Sequence, residues 1–120
     1  MSERGNIELL SDIKEAVKRI KLYIGEMEYE RFLQDIKTQD AVVRNLEIIG
    51  EAAKNVSGGL KREYSQIPWK ELAGVRDRLI HHYFGVNYDI VWTIAIEELP
   101  RHLIDIEEML IKVEQREKSA

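Results

Sequence analysis

A chain of 120 residues with 44% hydrophobic and 33% charged side chains is long enough to bury roughly two-thirds of its unfolded surface in a core and too apolar to remain disordered. It contains no cysteine, which excludes disulfides, thiolate metal sites and a cysteine nucleophile and suits a reducing cytoplasm. The net charge of −4 argues against general coating of nucleic acid, yet Leu60–Tyr83 holds five basic against three acidic residues, the local excess that a phosphate ligand requires.

The stretch Met1–Asn6 is polar and gives way to an amphipathic pattern rather than to the apolar centre of a signal peptide. The most apolar run, Ile90–Ile96, is too short to span a bilayer. These features predict a single cytoplasmic domain over residues 1–120 with no membrane association.

Ile7, Leu10, Ile13, Val17, Ile20 and Ile24 recur at spacings of three and four. They predict an amphipathic first helix with Asn6 as N-cap and Gly25 as its stop. Met27–Leu33 is expected to form a short helix carrying Tyr29 and Phe32 inward. A second long helix is expected from a Thr38 cap, with Val42, Leu46, Ile49, Ala53 and Val56 as its apolar stripe. Ser57-Gly58-Gly59 should end it, because glycine readily takes the left-handed conformation of helix ends. A helical turn over Leu60–Tyr64 follows, and Pro68 is placed to open the next helix.

The third long helix is expected over Trp69–Tyr83, burying Leu72, Val75 and Leu79, with Phe84-Gly85-Val86-Asn87 as the turn after it. A last helix from Tyr88 carries Val91, Ala95, Leu99, Leu103, Ile106, Leu110 and Val113 inward. Pro100 removes one backbone donor and predicts a kink there, and the charged tail Glu114–Ala120 is expected to fray. No segment alternates in the manner of a strand, and no Asn-Gly or Asp-Gly hairpin signal occurs. The fold class is therefore all-α, an up-and-down helical bundle.

The chemistry concentrates in Arg76-Asp77-Arg78-Leu79-Ile80-His81-His82-Tyr83. On a regular helix of about 100° per residue, Arg76 and Tyr83 lie within about 20° of each other and His81 stands about 140° from Arg76. The pair then meets either through arginine's reach and a distorted helix end, or across a dimer axis. Histidine exchanges a proton near neutral pH, and arginine binds phosphate oxygens through paired N–H groups and stabilises developing charge. RNA brings its own 2′-hydroxyl nucleophile, so this pair predicts phosphodiester cleavage with no metal and no cofactor. The bland readings are a helix cap or ion pair for Arg76 and His81, a half-buried aromatic for Tyr83, a solvent or packing role for His82, and plain surface charge for Arg78. Arg44, Glu47 and Glu51 read as surface ion pairs at helical spacing. Trp69 and Trp92 read as core or interface anchors.

Arg76 through Gly85 resembles the Arg-x4-His-x-Tyr motif of the HepT family (DUF86) within the HEPN superfamily. Arg44-Asn45-Leu46-Glu47-Ile48-Ile49-Gly50-Glu51-Ala52-Ala53 resembles the second-helix segment of that family. Ile67-Pro68-Trp69 resembles the entry to its motif helix, and Trp92 with Glu98-Leu99-Pro100 resembles its last helix. The resemblance implies a homodimeric ribonuclease toxin with its site in a cleft between protomers and Arg76 and His81 as the catalytic pair. Asp77, often asparagine in the family, would support that pair, although aspartate adds negative charge beside a phosphate. Tyr83 would be the residue that a minimal nucleotidyltransferase antitoxin modifies with AMP. Those added phosphates would repel RNA and pair with Arg76. A second implication is a non-catalytic HEPN module that binds a nucleotidyltransferase or a nucleotide, which the acidic net charge suits.

Overall fold

The computed structural model of the protein describes residues 4–80 and 85–119. Helix α1, Arg4–Ile24, buries Leu10, Ile13, Ala16, Val17, Ile20 and Ile24 on one face, the stripe that a 3.6-residue period requires. Gly25 ends it at φ 54°, its N–H donating to the Lys21 carbonyl at 2.9 Å. Asn6 does not cap this helix. It lies inside the first turns, and its Oδ1 accepts the Ser57 backbone N–H at 3.0 Å, joining α1 to a junction 51 residues away.

Helix α2, Tyr29–Gln34, is short and buries Phe32. Helix α3, Ile36–Asn55, starts before Thr38 because Asp35 is the cap. The Asp35 carboxylate accepts the Thr38 N–H at 3.0 Å, so Thr38 is the donor of the capping bond, and that bond is the main reason the Asp35 carboxyl lies below its ordinary pKa. Val56 ends α3 in an extended conformation. The expected stop at Ser57-Gly58-Gly59 is instead a start: the Ser57 hydroxyl accepts the Leu60 N–H and both glycines enter helix α4, Gly58–Glu63. Serine competes for exposed helix-start donors more effectively than glycine ends a helix that has already stopped.

The single helix expected over Trp69–Tyr83 is two short ones, α5 (Trp69–Ala73) and α6 (Val75–Leu79), divided at Gly74. Glycine's conformational freedom makes it the weak link of such a segment. The Gly74 carbonyl then accepts the N–H groups of both Asp77 and Arg78, at 3.0 and 3.3 Å. Helix α6 ends at Leu79 because Ile80 is extended (φ −95°, ψ 124°). Ile80 forms an isolated antiparallel bridge with Val86, and the Leu79 carbonyl accepts the Asn87 N–H at 2.6 Å.

Asn87 caps helix α7, Tyr88–Thr93, accepting N–H groups of Asp89 and Ile90. A π-helical turn, Ile94–Glu98, leads without a break into helix α8, Leu99–Ser119. The departure expected at Pro100 takes the form of this wide turn just before it, where a missing N–H is most easily absorbed. The tail expected to fray is helical to Ser119. A guanidinium fork from Arg116 to the Glu63 carboxylate ties it to α4, and Arg116 also reaches the Tyr64 hydroxyl at 3.3 Å.

Helix α1 packs along α3 and α8, and α5 and α6 lie on α3. The core between them holds Leu10, Phe32, Leu46, Ile49, Leu79, Ile106 and Met109, all essentially inaccessible. Trp69 is buried and its indole N–H donates to the Tyr64 carbonyl at 3.0 Å. Trp92 packs against Phe32 with ring centroids 5.2 Å apart, so both tryptophans anchor the core. The fold is an all-α helical bundle with no strand among the described residues. No helix among the described residues is long and apolar enough to cross a membrane.

Candidate functional site

Gly50 sets how closely α5 and α6 approach α3. A Cβ at that position would stand 3.0 Å from Val75 Cγ1 and 3.3 Å from the Leu72 carbonyl oxygen, so only hydrogen fits without displacement. The close approach lays Arg76 and Asp77 over the polar face of α3. There Arg44, Glu47, Glu51 and Lys54 line, with Arg76 and Asp77, a cavity of about 410 Å³. A smaller hollow of about 190 Å³ adjoins it, shares Glu47 and Arg76, and is otherwise apolar, with Val43, Leu79, Ile80 and Val86.

Arg76 thus stands where a charged groove meets an apolar one. It is exposed, and among the described residues it closes no ion pair. A guanidinium held on a helix with its N–H groups unclaimed can take a phosphate oxygen pair bidentately. Arg44 and Lys54 extend the cationic edge along α3, while Glu47, Glu51 and Asp77 interrupt it. Asp77 stands next to Arg76 on the same cavity wall, so it brings the negative charge its residue type implies. Among the described residues, no three His, Asp or Glu side chains are grouped to hold a metal ion.

Reading the sequence alone treats Arg44, Glu47 and Glu51 as surface ion pairs, but within the described residues these three close none. The available signal is their spacing: Arg44, Glu47, Glu51 and Lys54 step by three, four and three, which places four charges on one helix stripe. Nothing in the chain's linear order says that the stripe faces Arg76.

Arg78 is more than surface charge. Its guanidinium forks onto the Glu98 carboxylate at 2.9 and 3.0 Å, joining the end of α6 to the end of the π turn. The hydrogen bond to Arg78 holds the Glu98 carboxyl below its ordinary pKa, and the same bond raises that of Arg78. This pair lines a separate cavity of about 520 Å³ with Glu71, Arg101 and His102. Although it is the larger space, its guanidinium at Arg78 is already claimed, and Arg76 is not among its walls.

His81, His82, Tyr83 and Phe84 lie outside the described residues, and with them the expected apposition of His81 to Arg76, the placement of Tyr83, and the first residue of the predicted turn. The helical offset between positions 76 and 81 no longer applies, because the regular helix ends at Leu79. The described flanks, Leu79-Ile80 and Val86-Asn87, are tied to each other beside the Arg76 hollow.

Residues 13–115 match the family model described as "Ribonuclease HepT-like". A Methanocaldococcus jannaschii protein named for RNase activity is 45% identical over 111 residues, 92% of each chain. A Thermococcus cleftensis protein carrying the name ribonuclease HepT is 47% identical over 98 residues, 82% of this chain and 89% of its own. Another RNase-named protein, from Caldanaerobacter subterraneus subsp. tengcongensis, is 40% identical over 110 residues, 92% of this chain and 91% of its own. No solved structure matches the chain.

Proposed function

Because this chain belongs to the HepT-like ribonuclease family, we propose that it is a metal-independent endoribonuclease, with its 120 residues acting as one domain. The observation that carries the reading is Arg76, exposed and without an ion-pair partner among the described residues, in a groove that also holds Arg44 and Lys54. Arg76 binds the scissile phosphate and stabilises the charge that builds on its equatorial oxygens. His81 moves the proton between the ribose 2′-hydroxyl and the leaving oxygen. Asp77 supports the pair by orienting it.

The working unit is a homodimer in the cytoplasm. Its support is the apolar hollow of Val43, Ile80 and Val86 at the edge of the Arg76 groove, with Ile80 44% and Ile36 70% exposed, surface that a second protomer would cover. The chain acts as the toxin of a pair with a minimal nucleotidyltransferase antitoxin, which transfers AMP to Tyr83. A nucleotide phosphate there would occupy the guanidinium that RNA needs.

The purified protein should cut single-stranded RNA in the presence of EDTA. Arg76→Ala and His81→Ala should each abolish cutting while circular dichroism and melting stay close to the parent. Normal cutting by both variants would overturn the catalytic assignment. Incubation with the partner nucleotidyltransferase and ATP should add AMP to Tyr83 by mass spectrometry, and a Tyr83→Phe variant should take none.

One observation favours a second reading. Glu47, Glu51 and Asp77 put three carboxylates into the Arg76 cavity, which suits a non-catalytic module binding a nucleotidyltransferase or a nucleotide. The same assay separates the two, since such a module leaves RNA intact.

A further inference from the structure

On α8 the residues facing away from the core are not uniformly polar. Ile104 and Ile111 are 62% and 57% exposed, and their spacing of seven puts both within about 20° on the outer face. Ile96 is 43% exposed. It stands eight residues before Ile104, one more than a regular heptad. The π turn over Ile94–Glu98 accommodates one extra residue in the winding and so brings Ile96 back onto the stripe. Along the outside of the helix an exposed isoleucine therefore recurs at about every second turn, and these three side chains define a seam four turns long.

Its charged border has an order of its own. Glu97, Arg101, Glu108 and Lys112 are all exposed and lie along one side of the seam. The order is acid, base, acid, base, and 97 with 112 and 101 with 108 are each centred on the same point, between residues 104 and 105. When two copies of such a helix run antiparallel about that point, every acid faces a base. In antiparallel helix pairs each border faces its own copy. Ile104 then meets Ile104 near the twofold axis, and Ile96 meets Ile111.

We propose that the outer face of α8 is a self-pairing surface: two copies of the chain pack antiparallel through Ile96, Ile104 and Ile111, with Arg101 facing Glu108 and Glu97 facing Lys112 across the axis. The face is distinct from the Arg76 groove, which is formed by α3 and α6. It joins copies whether or not a second interface closes over that groove, so the proposal does not depend on the ribonuclease reading.

The absence of cysteine makes the test direct. In the full chain, Ile104→Cys should give a disulfide-linked dimer under mild oxidation at least tenfold faster than an exposed control, Lys18→Cys on α1. Adding Arg101→Glu to the Ile104→Cys chain should slow that cross-linking toward the control. Adding Glu108→Arg as well should restore it, because both reversals together regenerate the complementary order. Equal rates for the two cysteines would overturn the proposal. Loss of cross-linking that the double reversal does not rescue would also overturn it and would assign the seam to a partner of different sequence.

Discussion

Arg78 and Glu98 are joined by two parallel hydrogen bonds, at 2.9 and 3.0 Å, although 20 residues separate them in the chain. The fork links the last turn of α6 to the π turn before α8, two residues from Arg76. It therefore helps fix the direction in which the groove arginine leaves its helix, without itself lining that groove.

The Glu98 carboxyl is held below its ordinary pKa chiefly by the hydrogen bond from Arg78, against a smaller opposing effect of burial. A carboxylate with a depressed folded-state pKa stabilises the fold above its unfolded value and loses that contribution as pH falls through the folded value. Glu98→Gln should therefore lower stability at pH 7 by about 1 kcal/mol or less for a pair this exposed, and the melting temperature with it. The gap to the parent should close as pH is taken well below about 4. Melting curves at both pH values check this, and a gap that persists undiminished in acid would show that the charge on Glu98 is not what matters.

Gly50 should tolerate no side chain without movement of α5 and α6. Gly50→Val places branched carbons against Val75 Cγ1 and the Leu72 carbonyl, and overpacking of this kind costs about 1–3 kcal/mol. Urea denaturation should show that loss. RNA cutting should fall further than stability alone explains, because the displaced helix carries Arg76.

Arg44 and Lys54 should act in binding rather than in chemistry. Arg44→Ala and Lys54→Ala are expected to raise KM several-fold with kcat little changed. Each should also make the salt dependence of RNA binding shallower by about 0.7 in log–log slope, if each residue neutralises one phosphate. Steady-state cleavage and binding titrations from low to high salt would reveal it. An unchanged slope would place both cations outside the RNA path.

Trp69→Phe keeps most of the buried ring and removes the indole N–H that donates to the Tyr64 carbonyl at 3.0 Å. The Tyr64 carbonyl keeps the bond it accepts from the Ile67 N–H at 3.1 Å, so losing the indole bond alone should cost about 0.5–1.5 kcal/mol. The loss should appear in denaturation midpoints, with cleavage per folded molecule unaltered.

Much of the architecture is legible in the linear chain because burial imposes a period. The inward faces of α1, α3 and α8 follow from apolar residues at spacings of three and four, and the stop at Gly25 from glycine's access to positive φ. The residue types of the motif at Arg76, His81 and Tyr83 are likewise plain from sequence, and family membership follows from similarity along the chain. Where helices start and stop is less legible, because several residues compete for the same backbone donors and acceptors. Asp35 takes the cap expected of Thr38, and Ser57 starts a helix where a stop was expected. The motif helix ends early because Ile80 pairs with Val86 instead of continuing the turn. The relationships that define the groove belong to tertiary structure alone. Which charges of α3 face Arg76 depends on the tight contact at Gly50, and whether Arg78 is free depends on a carboxylate brought near it by the π turn. Periodicity says which face of a helix turns inward, because water drives that choice one helix at a time. Which polar side chains then meet is decided only when two helices pack, since that depends on their separation and register.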